Sequence, residues 1–262
     1  MNPKNDRPNI WPALRDEATH TAAAEPTLAA YLQHFVLAHP HFAAALGGVL
    51  AANMAADLVP QANLSDLFRE ALADEPGIIE AAVADLQAHL ERDPASQGYL
   101  TPFLYYKGYQ ALQVHRIAHW LWRSGRKALA RHLQSRAAQE YDIDIHPAAC
   151  IGKGIMIDHG SGLVIGETAV VEDDVSMLHG VTLGGTGKES GDRHPKIRRG
   201  VLLAAGARIL GNIEVGEGAK VGASSLVLTS VPPHRTYAGV PARDVGRPQS
   251  KSPALEMNQN LN

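Results

Sequence analysis

The sequence lacks the features that would set it apart from ordinary globular proteins. Its 262 residues include one cysteine, Cys150, which excludes an internal disulfide framework and suits a reducing compartment. No stretch approaches the roughly 20 apolar residues of a membrane-spanning helix, and the first ten residues do not resemble a signal peptide. The formal net charge of -3 gives no reason to expect binding to nucleic acid or an anionic membrane. We therefore expect a cytoplasmic protein without nucleic-acid or membrane partners.

The first 140 residues have the pattern of a helical domain. Ala, Leu, Gln, Glu and Arg dominate, and apolar residues recur at steps of three and four. A second helix is predicted to end before Pro94, and two more are predicted between about residues 102 and 140, meeting near Gly125. These amphipathic faces predict a packed core or a subunit interface. One such face is shared by four residues of a single segment: Leu64, Leu67, Phe68 and Leu72.

After Tyr141 the glycine and β-branched content rises and a period of six residues appears. Seven hexads run from Ile145 and six more from Ile197, and each opens with an aliphatic residue or alanine. A fixed period of six with an aliphatic anchor indicates a parallel β-helix, in which stacked coils bury the anchors together. At three hexads per coil, thirteen hexads predict about four coils. The predicted anchors are Ile145, Ile151, Ile157, Leu163, Ala169, Val175, Val181, Ile197, Leu203, Ile209, Val215, Val221 and Val227.

An insertion interrupts the repeat. Ten residues, GKESGDRHPK, occupy positions 187–196, and insertions from a solenoid usually lie on its functional face. The predicted organisation is a helical domain at 1–140, a β-helix at 141–246 that carries this loop, and a polar, flexible tail at 247–262.

Several blocks of sequence are similar to the serine acetyltransferase family. They are DIHPAACIGKGIMIDHGSGLVIGETAVVEDDVSMLHGVTLGGTGKESGDRHPKIRRGV, the later GARILGNIEVGEGAKVGASSLVL, and ERDPA with TPFLYYKGYQALQVHRIAHWLW in the helical half. The likeness extends from about residue 15 to residue 247. It implies an α+β protein, an all-helical N-terminal domain followed by a left-handed parallel β-helix of hexapeptide repeats. The period of six does not itself fix the handedness.

The resemblance also implies an activity. Members of the family transfer an acetyl group from acetyl-CoA to the hydroxyl of L-serine, the first step of cysteine biosynthesis from serine. The expected co-substrate is acetyl-CoA, with no permanently bound cofactor and no metal. Feedback inhibition by cysteine is expected, because cysteine resembles serine with sulfur in place of oxygen.

Acetyl transfer to an alcohol needs a base for the hydroxyl proton, and His159 is the candidate. A neutral imidazole suits this task, because its reference pKa of about 6.5 lies near the working pH. Asp144 matches the family's carboxylate that orients the base. Fifteen residues separate the two, three short of an 18-residue coil, so this pairing follows from the resemblance and not from the repeat.

The resemblance assigns further residues to the substrates. Asp93 and Asp158 match acidic residues near the serine amine, Arg193 in the loop matches the residue that holds the carboxylate, and His194 matches a further histidine that contacts the substrate. A guanidinium fork fits that planar anion. The candidates for contact with acetyl-CoA are Gly185, Ala205, Gly206 and, for its anionic nucleotide end, Lys220.

The family further implies a homotrimer with sites between neighbouring copies, or a dimer of such trimers. Members often end in an isoleucine that binds O-acetylserine sulfhydrylase. This sequence ends MNQNLN, so formation of that complex is in doubt.

Three other interpretations remain open from the residues. The first is a hexapeptide acyltransferase that acts on a sugar or a xenobiotic alcohol. The second is a zinc hydratase on the same scaffold, whose ligands would have to come from histidines such as His159, His179 and His194. The third is a non-enzymatic scaffold, which leaves the loop and the Asp144–His159 pair unexplained.

Overall fold

Helices form the first half of the chain and short strands the second. The computed structural model describes residues 9–56, 58–187 and 190–261. The predicted limits at residues 1 and 262, and residues 188–189 of the predicted loop, lie outside the described residues. The helices are α1 (Ile10–Ala24), a 3-10 turn (Pro26–Leu28), α2 (Ala29–Leu32), a π-helical turn (Gln33–Leu37), α3 (Phe42–Met54), α4 (Gln61–Asp74), α5 (Gly77–Arg92), α6 (Leu100–Tyr105), α7 (Lys107–Arg123), α8 (Lys127–Tyr141) and α9 (Pro253–Glu256).

The helix predictions are confirmed, except that the run from about residue 102 begins with a separate short helix, α6. The four apolar residues that were expected to share a face are buried along α4. α5 ends at Arg92, before Pro94, and α7 and α8 meet at Gly125, whose positive φ of 79° turns the chain between them. Among the described residues no single helix is long and apolar enough to cross a membrane; one bent pair, Pro26–Leu37 with Phe42–Met54, passes that test by length and composition only.

The strands build a parallel β-helix, as predicted. Three sheets form its sides: β1-β4-β7-β10-β13 on the first, β2-β5-β8-β11 on the second, and β3-β6-β9-β12-β14 on the third, where β15 adds an antiparallel edge. The strands are β1 (Ile143–Ile145), β2 (Cys150–Ile151), β3 (Met156–Ile157), β4 (Leu163–Ile165), β5 (Val170–Val171), β6 (Ser176–Met177), β7 (Thr182–Gly184), β8 (Lys196–Ile197), β9 (Leu202–Leu203), β10 (Arg208–Leu210), β11 (Glu214–Val215), β12 (Lys220–Val221), β13 (Leu226–Val227), β14 (Thr236–Gly239) and β15 (Ala242–Gly246).

The array has five coils, so the expected four was one too few. The six-residue count stops at Pro232, but Val231 still bridges to Val215, and β14 pairs with β12 with Thr236 opposite Lys220. This last step covers 16 residues where the regular coils take 18, which is why counting in sixes misses it.

The predicted anchors from Leu163 to Val181 are displaced by two residues. The register pairs Ile145 with Ile165 and Ile165 with Leu183, whereas counting in sixes chose Leu163 and Val181. Both sets are buried, because residues two apart in a strand point to the same side. The cause is a corner with two additional residues, described below.

The helices pack directly on the first coil. Buried residues from both halves belong to one continuous core. Where α7 crosses β3, a Cβ added at Gly108 would lie 2.2 Å from the carbonyl oxygen of Ile157. Only glycine allows this approach, so it fixes the start of α7 against the strand that leads into the corner of His159.

The C-terminal segment differs from the flexible tail that was expected. The Ser176 hydroxyl donates to the Ala254 carbonyl at 2.8 Å, and Ala254 is fully buried beside Leu178 and Leu202. Although the segment is polar overall, a few apolar side chains on a short helix give it a surface to bury.

Candidate active site

His159 lies on an enlarged corner of the first coil. Eight residues separate Ile157 from its counterpart Ile165 on the next side, whereas six separate Met177 from Leu183 one coil later. The backbone of Asp158 and of Ser161 still bonds to the next coil, at 2.9 and 2.8 Å. The two additional residues are therefore His159 and Gly160.

The insertion pushes the imidazole out of the prism. His159 has a φ of 56° and Gly160 a φ of 74°, both in the left-handed region. The left-handed region is uncommon for residues other than glycine, and here it forms the outward bend. The side chain of His159 is 77% exposed, so it is available to a substrate.

Two carboxylates from different parts of the chain lie near this corner. Asp158 Oδ1 is 3.9 Å from Nε2 of His159. Asp93 follows the last residue of α5. Both Asp93 and Asp158 lie close enough to the hydroxyl of Tyr106, at the start of α7, to influence its pKa. Burial, with Asp93 and then Asp158, raises the pKa of Tyr106 to about 12. The structure therefore brings together the two acidic residues that were predicted for the serine amine.

Asp144 lies on β1 and is held by a neighbour other than His159. The Gln134 side chain donates to its Oδ1 at 2.7 Å, and no hydrogen bond joins Asp144 to His159 in the described chain. The corner does pack against β1, since the N–H of Gly162 donates to the carbonyl of Asp142 at 2.8 Å. The predicted Asp144–His159 pair is thus close in the fold but not formed.

Arg193 and His194 belong to a second cluster. Arg193 donates to Glu167 Oε2 at 2.7 Å, and the backbone N–H groups of Arg193 and His194 both donate to the Thr168 hydroxyl, at 3.0 and 3.1 Å. The Thr168 hydroxyl also lies 2.9 Å from Nδ1 of His194. Thr168 therefore fastens the inserted loop to the corner between the first and second sides.

This second cluster carries a defined charge pattern. Burial, and then the charge of Arg193, lowers the pKa of His194 and so favours its neutral form. The hydrogen bond from Arg193 lowers the pKa of Glu167. The cluster thus combines the Arg193–Glu167 ion pair with a neutral, buried imidazole.

The two clusters lie at different edges of the same prism. The corner of His159 joins the third side to the first, while Thr168 and the loop with Arg193 occupy the corner from the first side to the second. One copy of the chain therefore does not bring Arg193 and His194 to His159.

The residues predicted to contact acetyl-CoA also lie at these two different edges. Gly185 lies at the base of the loop, where an added Cβ would be 3.5 Å from the Arg193 side chain. Ala205 and Gly206 lie on the edge of His159, where the Gly206 N–H donates to the His179 carbonyl at 2.8 Å.

Lys220 does not fit its predicted role. It is 3% exposed, and its ammonium group donates to the backbone carbonyls of Asn258 and Asn260. The C-terminal segment that covers Lys220 was expected to be flexible, so its burial was not anticipated.

His179 occupies the same edge one coil further on. Its ring centroid is 6.2 Å from that of His159, with the rings edge to face. Among residues 9–56, 58–187 and 190–261 no three His, Cys, Asp or Glu side chains are grouped as metal ligands.

Tyr106 and Thr168 were not predicted as site residues, and His179 was named only as a possible zinc ligand. Only the structure shows that Tyr106 adjoins Asp93 and Asp158, because these residues come from three segments. Thr168 lies at the same corner as the inserted loop, one coil earlier. Counting the repeat back by one coil from the loop could have found it.

Comparison with known proteins agrees with this architecture. Residues 10–114 match the family described as "Serine acetyltransferase, N-terminal". The serine acetyltransferase of Salmonella typhimurium is 53% identical over 253 residues, which cover 97% of this chain and 93% of the relative. The structure of the Brucella abortus enzyme in complex with coenzyme A has a TM-score of 0.91 at 48% identity, covering 94% of this chain and 98% of that chain. A serine acetyltransferase in complex with cysteine has a TM-score of 0.94 at 51% identity, covering 96% and 98%.

The chain joins a helical domain to a β-helix of six-residue repeats, which carries an exposed imidazole beside carboxylates. This combination is that of a hexapeptide acyltransferase. The chain belongs to the serine acetyltransferase family. The predicted family and the predicted class of enzyme are confirmed.

Proposed function

We propose that this chain transfers an acetyl group from acetyl-CoA to the hydroxyl of L-serine, giving O-acetyl-L-serine and CoA. The observation that carries the proposal is the bulged corner, which presents His159 to solvent beside Asp158 and near Asp93. His159 takes the hydroxyl proton as the serine oxygen attacks the thioester carbon. The C–O bond forms, the C–S bond breaks, and the sulfur of CoA leaves as a thiolate that is then protonated. Asp144, on the strand against which the corner packs, stabilises the imidazolium.

Serine is held at both of its charged groups. Asp93 and Asp158 receive the ammonium group, and Arg193 and His194 receive the carboxylate. Because the two clusters lie at different edges of one chain, the complete site takes His159 from one copy and Arg193 from its neighbour. This arrangement supports a homotrimer or a dimer of trimers, since a cyclic assembly repeats the same contact at each interface.

Acetyl-CoA is the co-substrate, and its pantetheine arm runs along the coils past Gly185, Ala205 and Gly206. The Brucella abortus relative was solved with coenzyme A. Small residues leave backbone groups open to the amides of this arm. Lys220 takes no part, because it is covered.

Cysteine competes at the serine site and inhibits the enzyme. One structural relative was solved with cysteine. Cysteine has the same ammonium and carboxylate groups, so it meets the same four side chains. Saturating serine is expected to relieve the inhibition.

A thiol-release assay with acetyl-CoA and a panel of acceptors tests the proposal. L-serine is expected to give the highest kcat/KM, above sugars, simple alcohols and D-serine. A higher rate with a sugar or another alcohol would favour the alternative acyltransferase and would overturn the assignment of serine.

A further inference from the structure

Arg92 is a buried cation beside one of the carboxylates of the candidate site. It ends α5 and immediately precedes Asp93, and its side chain is 3% exposed. One guanidinium nitrogen, Nη1, donates to the Gly154 carbonyl at 2.9 Å and to the Ser176 hydroxyl at 3.1 Å. These two partners belong to the first and second coils, so a single side chain ties the end of α5 to both.

The anionic partner of Arg92 is shared with a second arginine. Nη2 of Arg92 lies 3.6 Å from Asp174 Oδ1, and Nη2 of Arg199 lies 2.6 Å from Asp174 Oδ2. The Arg199 side chain is 63% exposed and does not adjoin Asp93. The structure therefore offers two arginines on one carboxylate, of which only Arg92 is linked to the candidate site.

Asp93 is held at the end of α5 by two hydrogen bonds. Its Oδ1 accepts a hydrogen bond from the N–H of Ala95 at 2.9 Å, and its own N–H donates to the carbonyl of His89 at 3.0 Å. Another polar link from α5 to the coils is Asp85, which accepts from the N–H of Ile155 at 2.9 Å two turns earlier. Of these two links, Arg92 is the one closer to Asp93.

We propose that Arg92 is a positioning residue that holds the Asp93 carboxylate at the corner of His159 by tying α5 to Gly154 and Ser176. The inference rests on the proposed function, because Asp93 matters only if it receives the serine ammonium. A guanidinium suits the task, since its Nη1 donates to groups on two coils while its Nη2 faces Asp174. A lysine side chain has a single nitrogen for these three partners.

The test is a double-mutant cycle in the full-length enzyme. Arg92→Met is expected to lower kcat/KM for serine about 10- to 100-fold, the size expected when a binding group shifts by about 1 Å, while KM for acetyl-CoA stays within about twofold. Arg92→Lys and Ser176→Ala are expected to give smaller losses of the same kind. The matched control, Arg199→Met, removes a charge from the same carboxylate and is expected to leave kcat/KM for serine unchanged.

Combination with Asp93→Asn separates positioning from general damage. If Arg92 acts through Asp93, adding Arg92→Met to Asp93→Asn costs less than about threefold more, whereas independent effects would multiply. Multiplicative losses, or a normal serine kcat/KM in Arg92→Met, would overturn the inference. Asp93→Asn with unchanged serine kinetics would instead refute the role of Asp93 in the proposed function.

Discussion

Mixed oligomers of two inactive variants test whether one site draws on two copies of the chain. His159→Ala removes the base and is expected to cost about 10²–10⁴-fold in rate. Arg193→Ala removes a charge-assisted hydrogen bond to the substrate, worth about 1.5–3 kcal/mol, or about 10- to 150-fold at low serine concentration. His159 and Arg193 lie at different edges of the prism. At each interface the two substitutions therefore affect residues that come from different subunits.

The regained activity can be calculated from this geometry. In a ring where every site takes His159 from one subunit and Arg193 from the next, random 1:1 assembly leaves about one quarter of the sites intact. The two variants are co-expressed with different tags, and thiol release is measured at low serine concentration. Activity near one quarter of wild type is expected, far above the sum of the two variants alone.

The matched control is a pair of variants on one edge. His159→Ala co-expressed with Asp158→Asn is expected to regain nothing, because both side chains serve the same site from the same subunit. The account of a shared site is refuted if the His159 and Arg193 variants together give no more than their sum, or if the same-edge pair regains as much.

Three further predictions concern stability and the loop. Gly108→Ala is expected to lower the free energy of unfolding by about 1–3 kcal/mol through overpacking, whereas Gly77→Ala, with nothing within 4 Å, is expected to have little effect; thermal unfolding compares them. Burial lowers the pKa of His89 to about 4, so the unfolded chain binds a proton at His89 more readily than the folded chain does. The free energy of unfolding is therefore expected to fall by about 3 kcal/mol as the pH drops from about 6.5 towards 4. Urea titrations should find this pH-dependent loss absent in His89→Gln. Thr168→Val removes the acceptor of two loop N–H groups and is expected to raise KM for serine about 10-fold without a matching change in KM for acetyl-CoA, and an unchanged KM for serine would contradict its anchoring role.

The architecture followed from the sequence because periodicity is a local signal. The step of six residues predicted the β-helix, and the spacing of Leu64, Leu67, Phe68 and Leu72 predicted the buried face of α4. The same counting placed the second coil two residues out of register. A two-residue insertion at His159 keeps apolar residues buried on either count, so hydrophobicity alone does not reveal it.

The candidate site could be predicted only in part. Motifs gave Asp93, Asp158 and His159, which the structure places near one another, but no motif shows that Arg193 lies at a different edge. That fact depends on the order of the sides of the prism. The burial of Lys220 depends on a distant segment, the C-terminal tail, whose packing has no periodic signature.

The kcat of His159→Ala with acetyl-CoA and saturating L-serine tests most directly whether His159 is the general base. His179→Ala is the matched control, since it removes a second exposed imidazole 6.2 Å away on the same edge. The account predicts a loss of about 10²–10⁴-fold for His159→Ala, and a far smaller loss for His179→Ala. Turnover by His159→Ala close to that of wild type would contradict it.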